Sequence, residues 1–115
     1  MKPPIIISEQ NDLEVYKTIE NAILDLEAID VINKAYVAYD SEGRLLRLYV
    51  NDPNLPLWGK EIRILIEEAE NIPTHMAELE ELLARHLEYI NIPKDWISKA
   101  TLEELVYKVL DCQAE

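Results

Sequence analysis

The chain has 115 residues and a formal net charge of −12, and 49% of its residues are hydrophobic. A chain of this length is expected to form a single domain, residues 1–115, and this hydrophobic content excludes a disordered protein. The negative charge disfavours nucleic acids and anionic membranes as partners because like charges repel, and it favours a basic protein partner.

Other classes of function are disfavoured by what the sequence lacks. Cys112 is the only cysteine, so no internal disulfide bond can form, and the apolar segment before Ser8 is too short for a signal peptide. Both observations predict a cytoplasmic protein. No apolar run approaches the roughly 18 residues of a membrane span. The two glycines, Gly43 and Gly59, exclude a glycine-rich nucleotide loop, and no catalytic or metal-binding motif is present. We therefore expect a protein that is not an enzyme and that has no cofactor and no bound metal.

The N-terminal part of the chain predicts two strands followed by a helix. A short apolar run predicts a strand over 5–8, and alternating apolar residues predict a second strand over 13–17, with a polar turn at 9–12 between them. Thr18 is a suitable N-cap, and apolar residues then recur at helical spacing, which predicts a helix over 19–28.

The stretch 35–50, AYVAYDSEGRLLRLYV, predicts a β-hairpin. Asp40 and Gly43 suit the two ends of a turn with the loop 41–43, which places Tyr39 opposite Leu45. Side chains alternate between the two faces of a strand, so one face is uniformly apolar and is expected to pack on the core. That face carries Tyr36, Ala38, Leu46, Leu48 and Val50. The other face is mixed and is expected to be partly solvated; it carries Val37, Tyr39, Leu45, Arg47 and Tyr49.

The C-terminal half predicts one more strand and two helices. Residues 61–67 alternate and can pair with the hairpin, whereas Leu57 and Trp58 in the preceding loop either pack over an edge of the core or contact a partner. A helix opens at residues 73–74 and ends at Asn91, and a short turn follows at 93–97. A Thr–x–x–Glu capping box at 101–104 begins the last helix.

The predicted order of elements is therefore β-β-α-β-β-β-α-α. Strands joined by short turns form antiparallel sheets, and helices with one apolar stripe must cover a sheet face. We predict an α+β fold of two layers, in which an antiparallel sheet of about five strands carries three helices packed on one face.

The opposite face of this sheet is a candidate binding surface. Four residues are expected to lie there together: Tyr39, Arg47, Tyr49 and Arg63. Tyrosine and arginine are enriched at the energetic centres of interfaces, so the face could dock a protein or a second copy of the chain. A partly solvated sheet face would explain the same residues.

An acidic run follows the last strand, with six glutamates and no lysine or arginine between residues 64 and 84. It lacks the spacing of a calcium-binding loop, which leaves a solvated face or a surface for a basic partner. The candidate binding residues of this run are Glu67, Glu68, Glu70, Glu78 and Glu81. His75 and Glu78 have the i,i+3 spacing that can place two ligands on a metal, but no second histidine is near, and we interpret them as structural or surface residues.

Parts of the chain resemble a known group of proteins. The segments are Ile29-Asp30-Val31, the run Tyr36-Val37-Ala38-Tyr39-Asp40-Ser41-Glu42-Gly43-Arg44-Leu45-Leu46, Pro73-Thr74-His75, Glu78-Leu79 and Leu82-Leu83. They are similar to small acidic bacterial proteins, some of which look like immunity proteins of toxin–immunity pairs. No catalytic or binding motif accompanies the resemblance, so it assigns no site residue.

Two functional hypotheses follow. The leading hypothesis is a non-enzymatic acidic binding protein, such as an immunity or inhibitor protein, that docks a basic protein partner. The alternative is a structural or regulatory module that forms a homodimer through the sheet face bearing tyrosine and arginine.

Overall fold

The computed structural model describes residues 1–10, 12–52 and 62–113, and within these ranges the chain forms five strands and five helices. The strands are β1 (Ile5–Glu9), β2 (Asp12–Tyr16), β3 (Tyr36–Tyr39), β4 (Leu45–Val50) and β5 (Ile64–Glu68). The helices are α1 (Ile19–Asp25), α2 (Ala28–Ile32), α3 (Met76–Tyr89), α4 (Lys94–Lys99) and α5 (Leu102–Gln113). The strands form one sheet in the order β2-β1-β3-β4-β5, and each neighbouring pair is antiparallel. The predicted α+β fold with a five-stranded antiparallel sheet is therefore confirmed.

The chain forms five helices instead of the predicted three, because the segment around 19–28 contains a break that is followed by α2, and because α4 forms where a short turn was predicted at 93–97. Thr18 caps α1 as predicted, since its hydroxyl accepts a hydrogen bond from the N–H of Asn21 at 3.1 Å. The backbone then becomes extended at Leu26, whose side chain enters the core. Helix α2 follows at once, in a segment that we expected only to lead into the hairpin.

The helices cover both faces of the sheet, which corrects the prediction that they pack on one face. Helices α1 and α2 pack on the face that carries Ile5, Ile7 and Ala38, hereafter the α1–α2 face. Helices α3, α4 and α5 pack on the opposite face, which carries Ile6 and Tyr39. The cause lies in β1. Its three consecutive isoleucines point to alternate faces, and all three are buried, so both faces of this strand need a cover.

The β3–β4 hairpin forms in the predicted register, with Tyr39 opposite Leu45. The five residues predicted to face the core all belong to the core on the α1–α2 face: Tyr36, Ala38, Leu46, Leu48 and Val50. Gly43 has φ +86°, and a Cβ atom there would lie 2.5 Å from Cγ of Met76. Glycine is therefore required both by the left-handed turn and by the close approach of α3.

Helix α5 is hydrogen-bonded to the edge strand β2. The predicted capping box is present at its start, where the backbone N–H of Glu104 donates to Oγ1 of Thr101 and the N–H of Thr101 donates to the Glu104 carboxylate. At its other end, the side-chain amide of Gln113 donates to the carbonyl oxygen of Val15 at 2.8 Å and accepts from its N–H at 2.7 Å. This pairing satisfies backbone groups that an edge strand would otherwise expose.

Two sequence predictions concern the segment between β4 and β5. Leu57, Trp58 and the first residue of the strand predicted over 61–67 lie outside the described residues. In the ranges that the structure describes, no helix is long and apolar enough to cross a membrane.

Candidate functional site

Tyr39 does not belong to the predicted binding surface. It is 2% exposed and lies in the core under α3, and its hydroxyl donates a hydrogen bond to the carboxylate of Glu78. Burial, and then the hydrogen bond to Glu78, raise the pKa of the Tyr39 phenol. The prediction failed because it left this face of the hairpin without a helix, whereas α3 packs there.

Three of the other predicted residues do come together on β4 and β5. The guanidinium carbon of Arg47 lies 4.8 Å from the ring centroid of Tyr49, and Arg47 forms an ion pair with Glu67. The Tyr49 hydroxyl donates to the same carboxylate at 3.3 Å. Arg63, also exposed, donates its backbone N–H to Oδ1 of Asn51 at 2.7 Å. Arg47 and Tyr49 thus pair on the predicted face of the sheet, with Arg47 exposed and Tyr49 half-buried, and Glu67 contacts both.

Asp40 and Arg44 at the hairpin turn form a buried structural hub. The Asp40 side chain is 0% exposed and accepts hydrogen bonds from the backbone N–H groups of Lys2, Glu42 and Arg44. Its Oδ2 also lies 2.7 Å from Nη1 of Arg44, which in turn donates through Nε and Nη2 to the carbonyl oxygen of Asn71. This hub joins the N-terminal segment, the turn and the loop before α3.

The predicted acidic residues Glu68, Glu78 and Glu81 have intramolecular partners. Glu68 contacts the N-terminal amino group at 2.5 Å and Arg44 at 3.4 Å, and Glu81 pairs with Arg85 at 2.7 Å. Glu78 accepts from Tyr39, as described above. Their carboxylates are therefore held in place within the fold.

Glu70 ties β4 to the start of α3. Its carboxylate accepts hydrogen bonds from the backbone N–H of Leu45 at 2.8 Å and from both the N–H and the hydroxyl of Thr74, and it lies 2.9 Å from Nδ1 of His75. These contacts, led by the Thr74 hydroxyl, lower the pKa of Glu70 from 4.5 to about 2. His75 thus has a structural partner.

The lowered pKa of Glu70 predicts a specific loss of stability in acid. Because the folded-state pKa is below the usual value of 4.5, the carboxylate stabilises the fold above pH 4.5, and this contribution is lost as the pH falls towards 2. We expect Glu70→Gln to unfold at a lower temperature than the wild type at neutral pH and the two melting curves to converge near pH 2. Thermal unfolding followed by circular dichroism measures this. Glu80→Gln, an exposed neutral change on α3, should run parallel to the wild type, and a constant gap down to pH 2 would refute the assignment.

A cavity that the sequence did not predict lies on the α1–α2 face, where β1, β2 and β3 meet the end of α1. Its volume is about 250 Å³. The residues that line it are Ile7, Glu9, Asp12, Leu13, Glu14, Tyr16, Asp25, Leu26 and Tyr36. Four of these carry carboxylates, two carry phenol rings, and no basic side chain is among these described residues. We call this site the acidic cavity.

The strand register places these side chains beside one another. Glu9 stands opposite Asp12 on one side and opposite Tyr36 on the other, and Glu14 stands opposite Ile7. Since side chains alternate along each strand, these residues all point to the α1–α2 face. The acidic cavity is therefore a consequence of the pairing of β1 with its neighbour β2 and with β3, which lies further along the sequence.

The tyrosines of the acidic cavity act as neutral hydrogen-bond donors. The Tyr16 hydroxyl donates to Asp25 at 2.6 Å, and the Tyr36 hydroxyl donates to Asp30 at 3.2 Å. Burial raises the pKa of both phenols, and nearby carboxylates, including Glu14 for Tyr16 and Asp30 for Tyr36, raise it further. Burial is the largest cause of both pKa shifts, and the carboxylates act in the same direction.

Three carboxylates of the acidic cavity have no such partner. In the part of the chain that the structure describes, the side chains of Glu9, Asp12 and Glu14 form no hydrogen bond and no ion pair. They differ in this respect from Glu68, Glu70, Glu78 and Glu81, each of which has a hydrogen-bond or ion-pair partner within the fold. Unpaired carboxylates therefore lie at a concave site, and Asp12 also lines a neighbouring cavity together with Arg85 and His86.

The sequence contained part of the signal for this site. The alternation of 13–17 puts Glu14 and Tyr16 on one face, but the strands were predicted to stop at residue 8 and to start at residue 13. Strands β1 and β2 are each one residue longer at the turn, and this extension brings Glu9 and Asp12 into the sheet. The contribution of α1 depended on the way it packs, which a single sequence does not reveal.

The chemistry available at the acidic cavity is the binding of a cation. Carboxylates attract positive charge, and the faces of tyrosine rings attract organic cations. The described residues hold no group of three or more side chains arranged to bind a metal ion.

Neither a family model, nor a curated protein, nor a solved structure matches the chain. The resemblance to immunity proteins therefore stays a prediction.

Proposed function

We propose that this chain is a non-enzymatic acidic binding protein that docks a basic protein partner, as an immunity or inhibitor protein docks its target. The observation that supports this most is the acidic cavity, where four carboxylates and two tyrosines line a concave site without a basic side chain among the described residues. The net charge of −12 supports the same kind of partner.

Docking would proceed in two stages. The field of the whole chain first attracts a cationic protein and raises the association rate, and this effect weakens as salt screens the charges. Close contact then places basic side chains of the partner near Glu9, Asp12 and Glu14, whose side chains form no hydrogen bond and no ion pair within the described chain. The tyrosine rings add the aromatic surface that is enriched at the centres of interfaces.

The test begins with capture of a partner from a lysate of the organism that encodes the chain, at low salt, with elution in a salt gradient. We expect one basic protein to be released at moderate salt and to form a 1:1 complex with the purified chain. Its association rate should fall at least about tenfold between low salt and about 1 M salt, where the Debye length is about 3 Å. A rate that does not depend on salt would refute electrostatic steering.

A matched pair of variants distinguishes the contribution of the acidic cavity to partner affinity from that of the overall negative charge of the chain. The variant Glu9→Gln/Asp12→Asn/Glu14→Gln removes three charges from the cavity. The control Glu80→Gln/Glu88→Gln/Glu103→Gln removes three exposed charges from α3 and α5, on the other side of the sheet. We expect the first variant to lose affinity at least about tenfold more than the control, and equal losses would show that the cavity is not the docking site.

The alternative, self-association through the β4–β5 face, is supported by the Arg47–Tyr49 pair. The Arg47 side chain is 61% exposed and stacks on Tyr49. Light scattering at high concentration should then show a dimer that Tyr49→Asp converts to a monomer. Tyr39→Asp cannot serve as a second disruptive change because Tyr39 lies in the core.

A further inference from the structure

We infer that the acidic cavity receives a single arginine side chain of the basic partner, which anchors the complex. This inference rests on the proposed function and names the group that the site recognises. It is argued from the size of the cavity, the placement of its carboxylates and the pairing of Glu9 with Asp12.

The size of the acidic cavity fits one side chain. Its volume of about 250 Å³ is below the roughly 300–1,000 Å³ of sites that enclose small organic ligands. Its apolar lining includes the buried residues Ile7 and Leu26, which can contact the aliphatic stem of a long side chain. The charged head of that side chain would lie among the carboxylates.

The placement of the carboxylates favours a guanidinium group over a compact cation. Glu9 is on β1, Asp12 and Glu14 are on β2, and Asp25 ends α1, so the acceptors are spread over different walls. They do not converge as metal ligands among the described residues. A planar guanidinium presents five N–H donors in several directions and stacks on aromatic rings, whereas an ammonium is a strongly hydrated point charge. Tyr16 and Tyr36 provide rings of the required kind at the same site.

Glu9 and Asp12 place two negative charges at the turn end of the β1–β2 pair. The two residues stand directly opposite each other in the antiparallel β1–β2 pair. Like charges at directly opposite positions destabilise a sheet. A guanidinium between them would replace this repulsion with two attractive contacts, so binding is favoured by relief of strain as well as by new hydrogen bonds.

The experiment is a nuclear magnetic resonance titration of the full chain with three blocked amino acids. The probes are N-acetyl-arginine amide, N-acetyl-lysine amide and N-acetyl-citrulline amide, the last being nearly the same shape as the first without the charge. We expect the arginine derivative to shift the ring resonances of Tyr16 and Tyr36 saturably, with a Kd on the order of millimolar. The lysine derivative should bind at least about threefold more weakly, and the citrulline derivative should cause no saturable shift.

Two variants test whether the chemical shifts arise from binding at the acidic cavity and not from unfolding of the chain. Asp12→Asn/Glu14→Gln should abolish the shifts, and Glu80→Gln/Glu88→Gln should leave them unchanged. The first variant removes one member of the repulsive Glu9–Asp12 pair, so we expect it to melt no earlier than the wild type. Equal shifts with arginine and citrulline, or shifts that survive Asp12→Asn/Glu14→Gln, would overturn the inference.

Failure of the arginine inference and failure of the proposed function give different experimental results. If a basic protein binds the chain with strong salt dependence but arginine shows no preference over citrulline, the inference fails and the proposed function stands. If arginine binds the acidic cavity but the chain captures no basic protein, the cavity recognises a guanidinium group that does not belong to a protein partner, and the partner assignment is wrong.

Discussion

Asp40→Ala is expected to lower the free energy of unfolding by about 3–5 kcal/mol, the cost of breaking a buried ion pair by removing one partner. Asp40 is 0% exposed, and its carboxylate accepts from three backbone N–H groups as well as from Arg44. Without it, Arg44 remains 12% exposed with its closest charge partner removed, and the turn loses two of its hydrogen bonds. Urea unfolding followed by circular dichroism measures the change.

The control for this prediction lies two residues along the same turn. The Glu42 side chain is 47% exposed and approaches Arg44 only at 3.4 Å. We expect Glu42→Ala to change the free energy of unfolding by less than about 0.5 kcal/mol. If Asp40→Ala were as mild as Glu42→Ala, the carboxylate of Asp40 would not hold the N-terminal segment and the turn as described.

Tyr39→Ala is expected to cost about 3–5 kcal/mol, as truncation of a buried aromatic side chain does. The ring of Tyr39 is 2% exposed and packs in the core with residues of α3 and α5. Tyr39→Phe removes only the hydrogen bond to Glu78, which is exposed to water, so it should cost about 1 kcal/mol. Equilibrium unfolding of both variants separates packing from hydrogen bonding.

Tyr49 is the matched control because it occupies the same face on the neighbouring strand, with its ring half-buried. Tyr49→Ala is expected to cost about 1 kcal/mol, well below Tyr39→Ala. Equal costs for the two substitutions would mean that α3 does not cover Tyr39, and the prediction of an open face with both tyrosines would then be restored.

The local structure was readable from the sequence where neighbouring residues decide it. The turn at Asp40–Gly43, the N-cap at Thr18 and the capping box at 101–104 were all predicted, and all three form as expected. Each depends on a hydrogen bond or a backbone preference within a few residues of the chain. Four of the strands followed from alternation and β1 from its short apolar run, and the antiparallel sheet followed from the short turns that join strands.

The placement of the helices was not readable in the same way. An apolar stripe shows that a helix must be covered, but it does not show which face of the sheet covers it. The three isoleucines of β1 contained this information, since a strand with an unbroken apolar run is buried on both sides. The break at Leu26 also escaped prediction, because it depends on the fit of that side chain into the core.

The candidate binding surface was likewise predicted only in part from the sequence. Composition and charge indicated a basic partner, and the pairing of Arg47 with Tyr49 followed from the hairpin register. The burial of Tyr39 in the core and the partners of Glu67, Glu68 and Glu78 depended on contacts between distant segments. The acidic cavity also required the tertiary structure, because β1, β2, β3 and α1 each supply part of it. Local hydrogen bonds and side-chain alternation act within a few residues and are written in the sequence, whereas the concentration of charge at one site arises only when separate elements pack together.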